Sequence, residues 1–319
     1  MLNVETIYDR IASGGSADFS EVLSLAVNLP KPEFYALANR IREFFLGNFV
    51  ETCSIMNARS GLCSEDCKWC AQSGHYKTGV DTYGYVSQSA AVNEAKKAAE
   101  NRVRRFSLVT SGKTVSDANV ERLARAFEAM GKVGGIELCG SFGLLSKVQL
   151  QRLKEAGLTR YHCNLEAAPS FFPNLCSTHT IEEKLETISQ ARDLGIEICS
   201  GGIIGMGETL EQRIELAFAI GRTGAVSVPV NILQPIKGTP LENQPPLSED
   251  EILTAFAVFR IVNPKAHIRF AGGRSAIRGK QELALRAGVS AMLVGDMLTT
   301  VGSNIQQDYE MLARLGYEH

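Results

Sequence analysis

The sequence lacks the features that mark membrane-bound, secreted or nucleic-acid-binding chains. Its 33 basic and 35 acidic residues leave a net charge of −2, which argues against a basic nucleic-acid-binding surface. No apolar run approaches the roughly 18 residues that a membrane-spanning helix needs. The first residues, MLNVETIYDRIASGG, carry acids and have no apolar signal core. We therefore expect a cytoplasmic protein without a membrane or nucleic-acid partner.

The composition is that of an ordinary globular protein. The 319 residues are 45% apolar and 21% charged, and they suffice for two average domains or one large barrel. The sequence has no linker, no low-complexity tract and no sign of a second core. Eight cysteines could pair as disulfides only in an oxidising compartment, so we interpret all of them as reduced thiols.

Three of these cysteines lie close together in one short segment. Cys63, Cys67 and Cys70 belong to the stretch CSEDCKWC, with Trp69 before the last. Thiolates are soft ligands that select zinc, copper(I) or iron–sulfur clusters. A structural zinc site usually takes four ligands from two spaced pairs, whereas one tight loop here supplies three. Three thiolates on a four-iron cubane leave one iron open to a small molecule. The alternative is a chance group of reduced cysteines.

An alternation of strands and helices begins near residue 49. Eight apolar segments have strand character, with helical patterns between them. They are residues 49–56, 105–110, 135–139, 160–165, 197–199, 227–233, 267–270 and 291–294. Thr180 with Glu183 and Ser248 with Glu251 are capping boxes that open two of the helices. This rhythm suggests a (β/α)8 TIM barrel, an α/β fold, although periodicity alone also allows an open doubly wound sheet.

The remaining segments predict the domain limits. Apolar residues recur at helical spacing within residues 1–48, punctuated by Pro30 and Pro32. We expect these residues to form a helical extension that caps one end of the barrel. The barrel is predicted over residues 49–305, and residues 306–319 are predicted as a C-terminal helix and tail.

The cysteine spacing resembles a known family signature. C-x3-C-x-aromatic-C is typical of radical S-adenosylmethionine (SAM) enzymes, and the version here, with GLCSEDCKWCAQS running into HYKTG, resembles the biotin synthase family. The resemblance covers most of the chain after the first fifty residues. It includes the later segments NLE (164–166), CSGGIIGMGE (199–208), VPVN (228–231), KGTP (237–240) and RFAGGR (269–274).

The resemblance implies a [4Fe–4S] cluster on Cys63, Cys67 and Cys70, with SAM bound at the open iron. Glycines let a backbone approach a ligand closely, although glycine at strand ends is common. Asn164 and Glu166 end a predicted strand, where the alternative is a solvated strand end. By resemblance the SAM-binding residues are Asn164, Glu166, Gly202, Gly205, Gly207 and Glu208. Asn164 and Asn231 are implied to bind dethiobiotin, whose ureido ring offers both donors and an acceptor.

The resemblance also implies an auxiliary iron–sulfur cluster, [2Fe–2S] or larger, that is sacrificed as the sulfur donor. Its implied ligands include Cys139, Cys199 and Arg269. A lone buried cysteine is most often a small hydrophobe, so Cys139 and Cys199 carry this prediction only through the resemblance. An arginine inside a barrel is costly without a partner, which fits an anionic cluster.

One pair of positions departs from the family pattern. Ser107 stands where the family has a third cysteine ligand, and Cys53 stands on the neighbouring strand where the family has serine. We hypothesise that Cys53 replaces the missing ligand and that the auxiliary cluster is shifted or of another type. Cys163 and Cys176 have no counterpart in the pattern and are interpreted as structural, the alternative being that either serves a cluster, and His162 replaces a usual asparagine.

The implied reaction is conversion of dethiobiotin to biotin. The 5′-deoxyadenosyl radical removes hydrogen at C9 and then at C6, and the auxiliary cluster donates sulfur. No protein base is needed, so no residue is predicted to be catalytic in itself. Flavodoxin or ferredoxin is the implied reductant, and a homodimer is expected. The alternatives are another enzyme of the same subfamily, such as a hydrogenase maturase, or a non-enzymatic iron–sulfur electron carrier.

Overall fold

The strands of this chain form one closed parallel barrel. The computed structural model describes residues 3–277, 279–295 and 304–319. The strands are β1 (Glu51–Arg59), β2 (Arg105–Thr110), β3 (Glu137–Ser141), β4 (Arg160–His162), β5 (Glu197–Cys199), β6 (Gly202–Ile204), β7 (Ser227–Ile232), β8 (His267–Phe270) and β9 (Ala291–Leu293). Pairing runs from β1 through β4 to β5, and β9 returns to β1. The predicted TIM barrel is therefore confirmed.

The fifth barrel strand is broken into β5 and β6. Both halves pair with β7, so together they occupy one of eight barrel positions. Gly201 lies at the break, where an added Cβ would stand 1.9 Å from the carbonyl oxygen of Pro229. Only glycine fits this close approach, and the break opens the barrel wall beside the carboxyl end of β4. Strands β7, β8 and β9 are then the sixth to eighth barrel strands.

Helices separate the strands along the chain. They are α1 (Val4–Ala12), α2 (Phe19–Asn28), α3 (Lys31–Leu46), α4 (Gln88–Glu100), α5 (Asp117–Met130), α6 (Lys147–Glu155), α7 (Ile181–Asp193), α8 (Leu210–Thr223), α9 (Glu249–Val262), α10 (Gln281–Arg286) and α11 (Ile305–Arg314). The predicted capping boxes at Thr180 and Ser248 are both formed. Each joins the helix start to the preceding loop and so fixes the end of that loop.

The register places inward side chains in stacked rings of four. The strands of a (β/α)8 barrel are staggered, so residues at one height advance by one position from each strand to the next. Starting at Cys53, this step reaches Cys139, Cys199 and Arg269 on alternate strands and returns to Cys53. We call these four residues the thiol ring. The same step places Arg105, Arg160, Ser227 and Ala291 in the ring below it, which we call the base ring.

The N-terminal helices pack against outer helices of the barrel. Every residue of α9 from Ile252 to Ile261 is buried, so its outer face needs a second layer. Helices α2 and α3 supply that layer, since α2 packs against α8 and α9 and α3 packs against α9 and α10. The apolar surface that these helices cover therefore lies on α9, and their predicted role as an end cap stays a prediction.

The C-terminal segment contacts the chain just before the first strand. The amide of Val50 donates to the carbonyl oxygen of Glu318 at 2.8 Å, and the ring of Tyr317 stacks under the guanidinium of Arg42. Residues 1–2 and 296–303, which belong to the predicted cap and barrel, lie outside the described residues. None of the helices that the structure describes is both long enough and apolar enough to cross a membrane.

Candidate active site

One cavity of about 450 Å³ occupies the carboxyl end of the barrel. Cys63, Cys67 and Cys70 line its mouth, and all four residues of the thiol ring line its floor. Two groups of cysteines therefore face the same enclosed space. The parallel strands cause this arrangement, because loops that follow them gather at one end while inward side chains fill the barrel below.

The loop that carries the three mouth cysteines is closed by its own backbone. The amide of Cys63 donates to the carbonyl oxygen of Gln72 at 2.9 Å, and Gly74 donates back to Cys63 at 2.7 Å. Gly61 opens the loop with φ +73°, and an added Cβ there would lie 2.4 Å from Oγ1 of Thr82. Glycine at this turn lets the chain reverse directly after β1, which turns the thiols toward the cavity.

The HYKTG segment fastens the outside of the same loop. The Tyr76 hydroxyl donates to the carbonyl oxygen of Asp66 at 2.5 Å, and Thr78 donates to that of Ala71 at 2.6 Å. The His75 ring lies 2.9 Å from the carbonyl oxygen of Ser64. These side chains provide hydrogen-bond partners for carbonyl oxygens of the loop, which lie outside any helix or strand. The motif therefore holds the cysteines in place without contributing a ligand.

The base ring sits on a buried carboxylate. Glu51 is 4% exposed and accepts hydrogen bonds from Arg105 and Arg160, each at 2.8 Å, and from Arg269 of the thiol ring. Burial opposes ionisation of Glu51, but the charges of Arg269 and Arg160 outweigh it and hold the pKa of this carboxyl well below its ordinary value. Three buried guanidiniums thus surround Glu51, two of them below the thiols and that of Arg269 level with them. The partly exposed Glu137 and Glu197 also pair with the lower two guanidiniums.

One nitrogen of this network fits an anionic group at the level of the thiols. Nη1 of Arg105 is buried and has no hydrogen-bond partner among the residues that the structure describes, although its other nitrogens pair with Glu51, Glu137 and Glu197. Burial raises the pKa of Cys139 to about 12, and the charge of Cys53 adds to this effect. Free thiolates are therefore disfavoured here. A cluster whose irons bind the thiolates would stabilise their deprotonated form, and its negative charge would give the Arg105 nitrogen a partner.

Arg269 has protein partners of its own. Its guanidinium donates to Glu51, to Oγ of Ser227 at 3.1 Å and to the carbonyl oxygen of Met292 at 3.3 Å. Its burial alone therefore does not argue for a cluster, contrary to the expectation from sequence. The unpartnered nitrogen of Arg105, which sequence reasoning missed, carries that argument instead.

Cys53 and Ser107 occupy different heights in the barrel. The Cα of Cys53 is paired with Arg105, whereas Ser107 is paired with Ile55, two residues further along β1. Ser107 lies on an even-numbered strand, in the ring above, together with His162. Cys53 lies on the first strand and completes the thiol ring with Cys139 and Cys199. Exchanging cysteine between these positions moves the third thiol one ring deeper, next to the base ring.

Asn164 and Glu166 lie on the cavity wall where β4 ends. The side-chain oxygen Oδ1 of Asn164 accepts from the backbone amide of Gly201 at 2.9 Å and lies 2.6 Å from Nε2 of His162. Its amide nitrogen donates to Glu166 at 3.2 Å. Burial raises the pKa of Glu166 and lowers that of His162 to about 4, so the imidazole is neutral near pH 7. Both predicted SAM contacts thus face the cavity in a fixed geometry.

The other predicted SAM residues lie outside the lining of this cavity. Gly202 faces the carbonyl oxygen of Glu166, where a Cβ would stand 2.6 Å away. The buried carboxylate of Glu208 accepts from the amides of Gly205 and Met206, each at 2.7 Å, and from Arg213 at 2.7 Å. Gly207 has φ +103° in the same turn. These residues shape the loop after β6, and their contact with SAM stays a prediction.

Asn231 also lines the cavity. Its amide nitrogen donates to the carbonyl oxygen of Gly202 at 3.2 Å, and its oxygen accepts from the amide of Gly272 at 2.9 Å. One N–H of the amide remains for a ligand, because Asn carries two donors. The side chain therefore ties β6 to the loop after β8 and still presents a donor toward the cavity.

Two further residues reach the mouth from the loop between β4 and α7. The Sγ of Cys176 lies 3.7 Å from the Sγ of Cys67, and His179 pairs with Glu65 at 2.7 Å. The hydrogen bond from Cys67 lowers the pKa of Cys176 to about 6. Sequence reasoning interpreted Cys176 as structural and did not consider His179. No sequence signal marks the contact, because 109 residues separate the two cysteines.

Family models match nearly the whole barrel. A model described as the Radical SAM superfamily matches residues 59–220, and one described as the Biotin and Thiamin Synthesis associated domain matches residues 229–318. The fold and the cysteine-lined mouth agree with these matches. The protein is a radical SAM barrel enzyme, which requires a [4Fe–4S] cluster and SAM.

Relatives define the family more narrowly. Curated biotin synthases from Porphyromonas gingivalis and Acetivibrio thermocellus are 49% and 47% identical to this chain. The alignments cover 99% and 97% of this chain and 96% and 97% of those proteins. The chain belongs to the biotin synthase family. Membership implies an auxiliary iron–sulfur cluster in addition to the radical SAM cluster.

Solved structures with the same fold are more distant in sequence. A methylornithine synthase has a TM-score of 0.82 at 18% identity and covers 98% of this chain and 96% of its own. An FeFe-hydrogenase maturase from Carboxydothermus hydrogenoformans has a TM-score of 0.82 at 18% identity and covers 98% and 78%. At such low identity the likeness shows the fold alone, so it does not favour the maturase alternative.

Proposed function

We propose that this chain converts dethiobiotin to biotin by radical sulfur insertion. The observation that carries the proposal is the pair of thiol groups across one cavity: three at the mouth and three in the ring below. A radical enzyme that only abstracts hydrogen needs the first group. A second, buried group of thiols, next to an arginine nitrogen that is free to donate, is what an enzyme needs if it also carries a consumable sulfur source.

At the mouth, Cys63, Cys67 and Cys70 would hold the [4Fe–4S] cluster as thiolates. When bound, this cluster and SAM supply a 5′-deoxyadenosyl radical, and the auxiliary cluster supplies sulfur. Asn164 and Glu166 are positioned to bind SAM, since both face the cavity and hold each other by a hydrogen bond of 3.2 Å. Trp69 lines the same mouth and excludes water from it.

In the floor, Cys53, Cys139 and Cys199 would hold the auxiliary cluster, with Arg269 as the fourth residue of the ring. We propose that Cys53 takes the place of the ligand lost at Ser107. Ser107 is paired with Cys139 across β2 and β3 but its side chain belongs to the ring above, whereas Cys53 shares the ring of Cys139. Arg105 and Arg160 lie directly beneath and offset the negative charge of such a cluster. Ser107 then borders the substrate side of the site.

Between the two groups lies the space for dethiobiotin. Asn231 presents its remaining N–H to this space, which suits the carbonyl oxygen of a ureido ring. The wall between mouth and floor is mostly apolar, with Ile55, Val109 and Leu293 among its residues. Such a wall fits a hydrocarbon chain and protects a carbon radical from water.

The partners of this reaction are proposals from the family resemblance. Flavodoxin or ferredoxin would deliver the electrons, and two chains would form a homodimer. The outer side of the cysteine loop is open to a reductant, because Leu62, next to Cys63, is 70% exposed. A cytoplasmic location remains a prediction that rests on the reduced thiols.

An anaerobic single-turnover assay tests the function. Reconstituted protein, SAM, dethiobiotin and a strong reductant are mixed, and products are identified by mass spectrometry. Biotin or a mercapto-dethiobiotin together with 5′-deoxyadenosine is expected. Formation of 5′-deoxyadenosine without any sulfur-containing product, from protein that holds both clusters, would contradict sulfur insertion and leave only the radical chemistry.

A further inference from the structure

Cys67, Cys176 and His179 bring three metal-binding atoms together at the edge of the mouth. One ligand atom of each residue lies within 4.8 Å of the others. Cys67 comes from the cysteine loop, whereas Cys176 and His179 come from the loop between β4 and α7. The group thus depends on contact between two loops, and it includes two residues that the proposed radical SAM cluster does not use.

Two of the three distances within this group are close to the edges of a tetrahedral zinc site. Zn–S bonds near 2.3 Å and Zn–N bonds near 2.0–2.1 Å give tetrahedral edges of about 3.8 Å between sulfurs and about 3.6 Å between sulfur and nitrogen. The two Sγ atoms are 3.7 Å apart, and Sγ of Cys176 lies 3.8 Å from Nε2 and 3.3 Å from Nδ1 of His179. The imidazole must therefore rotate until Nε2 faces the two sulfurs before one ion can bind all three atoms.

The imidazole of His179 has a carboxylate partner that suits a metal-binding histidine. Nδ1 of His179 lies 2.7 Å from Oε2 of Glu65, and both side chains are buried. A metal-binding histidine commonly donates its other ring N–H to a carboxylate, which fixes the tautomer and leaves Nε2 free to bind. Glu65 supplies that carboxylate here. Cys67 is only partly buried, so an ion and a solvent ligand can reach the group from outside.

We propose that the chain without its radical SAM cluster binds one divalent ion of the zinc class through Cys67, Cys176 and His179, with solvent as the fourth ligand. The inference does not depend on the proposed sulfur insertion. Since Cys67 cannot serve both this ion and the cluster, the two are mutually exclusive. Zinc bound here would therefore compete with cluster assembly on the mouth cysteines.

The test must separate this site from one made by the mouth cysteines alone. Full-length Cys63→Ser/Cys70→Ser protein keeps the proposed ligands and loses two of the three mouth thiols. The protein is prepared anaerobically without clusters, reduced with a phosphine and titrated with Co²⁺ as a spectroscopic stand-in for zinc. We expect one equivalent of Co²⁺ with thiolate-to-cobalt charge transfer and the intense visible bands of a tetrahedral site.

Three further variants in the same background decide the outcome. Cys176→Ser and His179→Gln should each abolish the stoichiometric bands, and Glu65→Gln should weaken binding by about 10- to 100-fold. Cys163→Ser, which removes a buried cysteine outside the group, is the matched control and should bind as the background does. Circular dichroism checks that all variants are folded.

Loss of Co²⁺ binding in the Cys63→Ser/Cys70→Ser background would overturn the proposal, since the metal would then require the mouth cysteines. Undiminished binding in the folded Cys176→Ser variant would overturn it as well. Neither result bears on biotin formation, which the single-turnover assay measures separately.

Discussion

The carboxylate of Glu51 should be a main determinant of stability, because it is the only fully buried acid among the three guanidiniums of this core. Glu51→Gln removes the charge and keeps the shape. Breaking a buried ion pair by removing one partner costs about 3–5 kcal/mol, because the remaining charges stay buried. With an unfolding entropy near 2.1 cal/mol/K per residue, this loss over 319 residues corresponds to a Tm lower by about 5–7 °C.

The assay is thermal unfolding of the cluster-free chain, followed by circular dichroism under anaerobic conditions. Glu137→Gln is the matched control. Glu137 also pairs with Arg105, at 2.7 Å, but its side chain is 33% exposed, so its loss should cost less than about 1 kcal/mol. If Glu51→Gln melts within about 1 °C of the parent, or no lower than Glu137→Gln, the buried charge network does not stabilise the fold as argued.

The pH dependence of the same network has a defined sign. The folded-state pKa of Glu51 is lowered from its ordinary value of 4.5, so its stabilisation is present above that pH and is lost as the pH falls further. The difference in Tm between the parent and Glu51→Gln should therefore be constant from neutral pH down to about 5 and shrink in stronger acid. A difference that grew with acidification would contradict the assignment.

Three other changes have clear expected outcomes. Gly201→Ala places a Cβ 1.9 Å from the Pro229 carbonyl oxygen and should lower stability by about 1–3 kcal/mol or more, measured by denaturant unfolding, whereas Gly84→Ala, with no atom within 4 Å, should change little. Tyr76→Phe removes a 2.5 Å hydrogen bond to the cysteine loop and should speed loss of the radical SAM cluster to a chelator, without changing auxiliary iron. Asn164→Ala should weaken SAM binding in a direct titration, and unchanged affinity would remove Asn164 from the predicted contacts.

The sequence predicted the strands well because each is a short apolar segment between helices. The bounds of β2, β5 and β8 agree with the structure, and the capping boxes mark helix starts through local hydrogen bonds. The division of the fifth strand was not predicted. It follows from contact between Gly201 and Pro229 on another strand, which no local pattern reports.

The site was predicted as a set of residues but not as an arrangement. Spacing identified Cys63, Cys67 and Cys70, and resemblance identified Cys139, Cys199 and Arg269. The barrel shear decides which inward residues share a height, and it depends on the pairing of all strands at once. Only that register shows that Cys53 stands level with Cys139 and Cys199, and that Arg105 and Arg160 lie beneath them.

The position of the N-terminal helices shows a similar limit. Their apolar spacing predicted helices, and α1, α2 and α3 are formed. Their location follows from α9, which is buried on every face from Ile252 to Ile261 and needs an outer cover. The apolar spacing of a helix predicts which of its faces is buried. The element that this face packs against depends on the rest of the chain.

The most direct test of the central claim isolates the thiol ring. A Cys63→Ala/Cys67→Ala/Cys70→Ala variant removes the mouth ligands and keeps Cys53, Cys139, Cys199 and Arg269. After anaerobic reconstitution, its iron and acid-labile sulfide should report the auxiliary cluster alone. We predict that adding Cys53→Ser removes most of this iron and sulfide, whereas adding Cys163→Ser does not. Unchanged iron and sulfide after Cys53→Ser would contradict the thiol ring as the site of the sulfur-donating cluster.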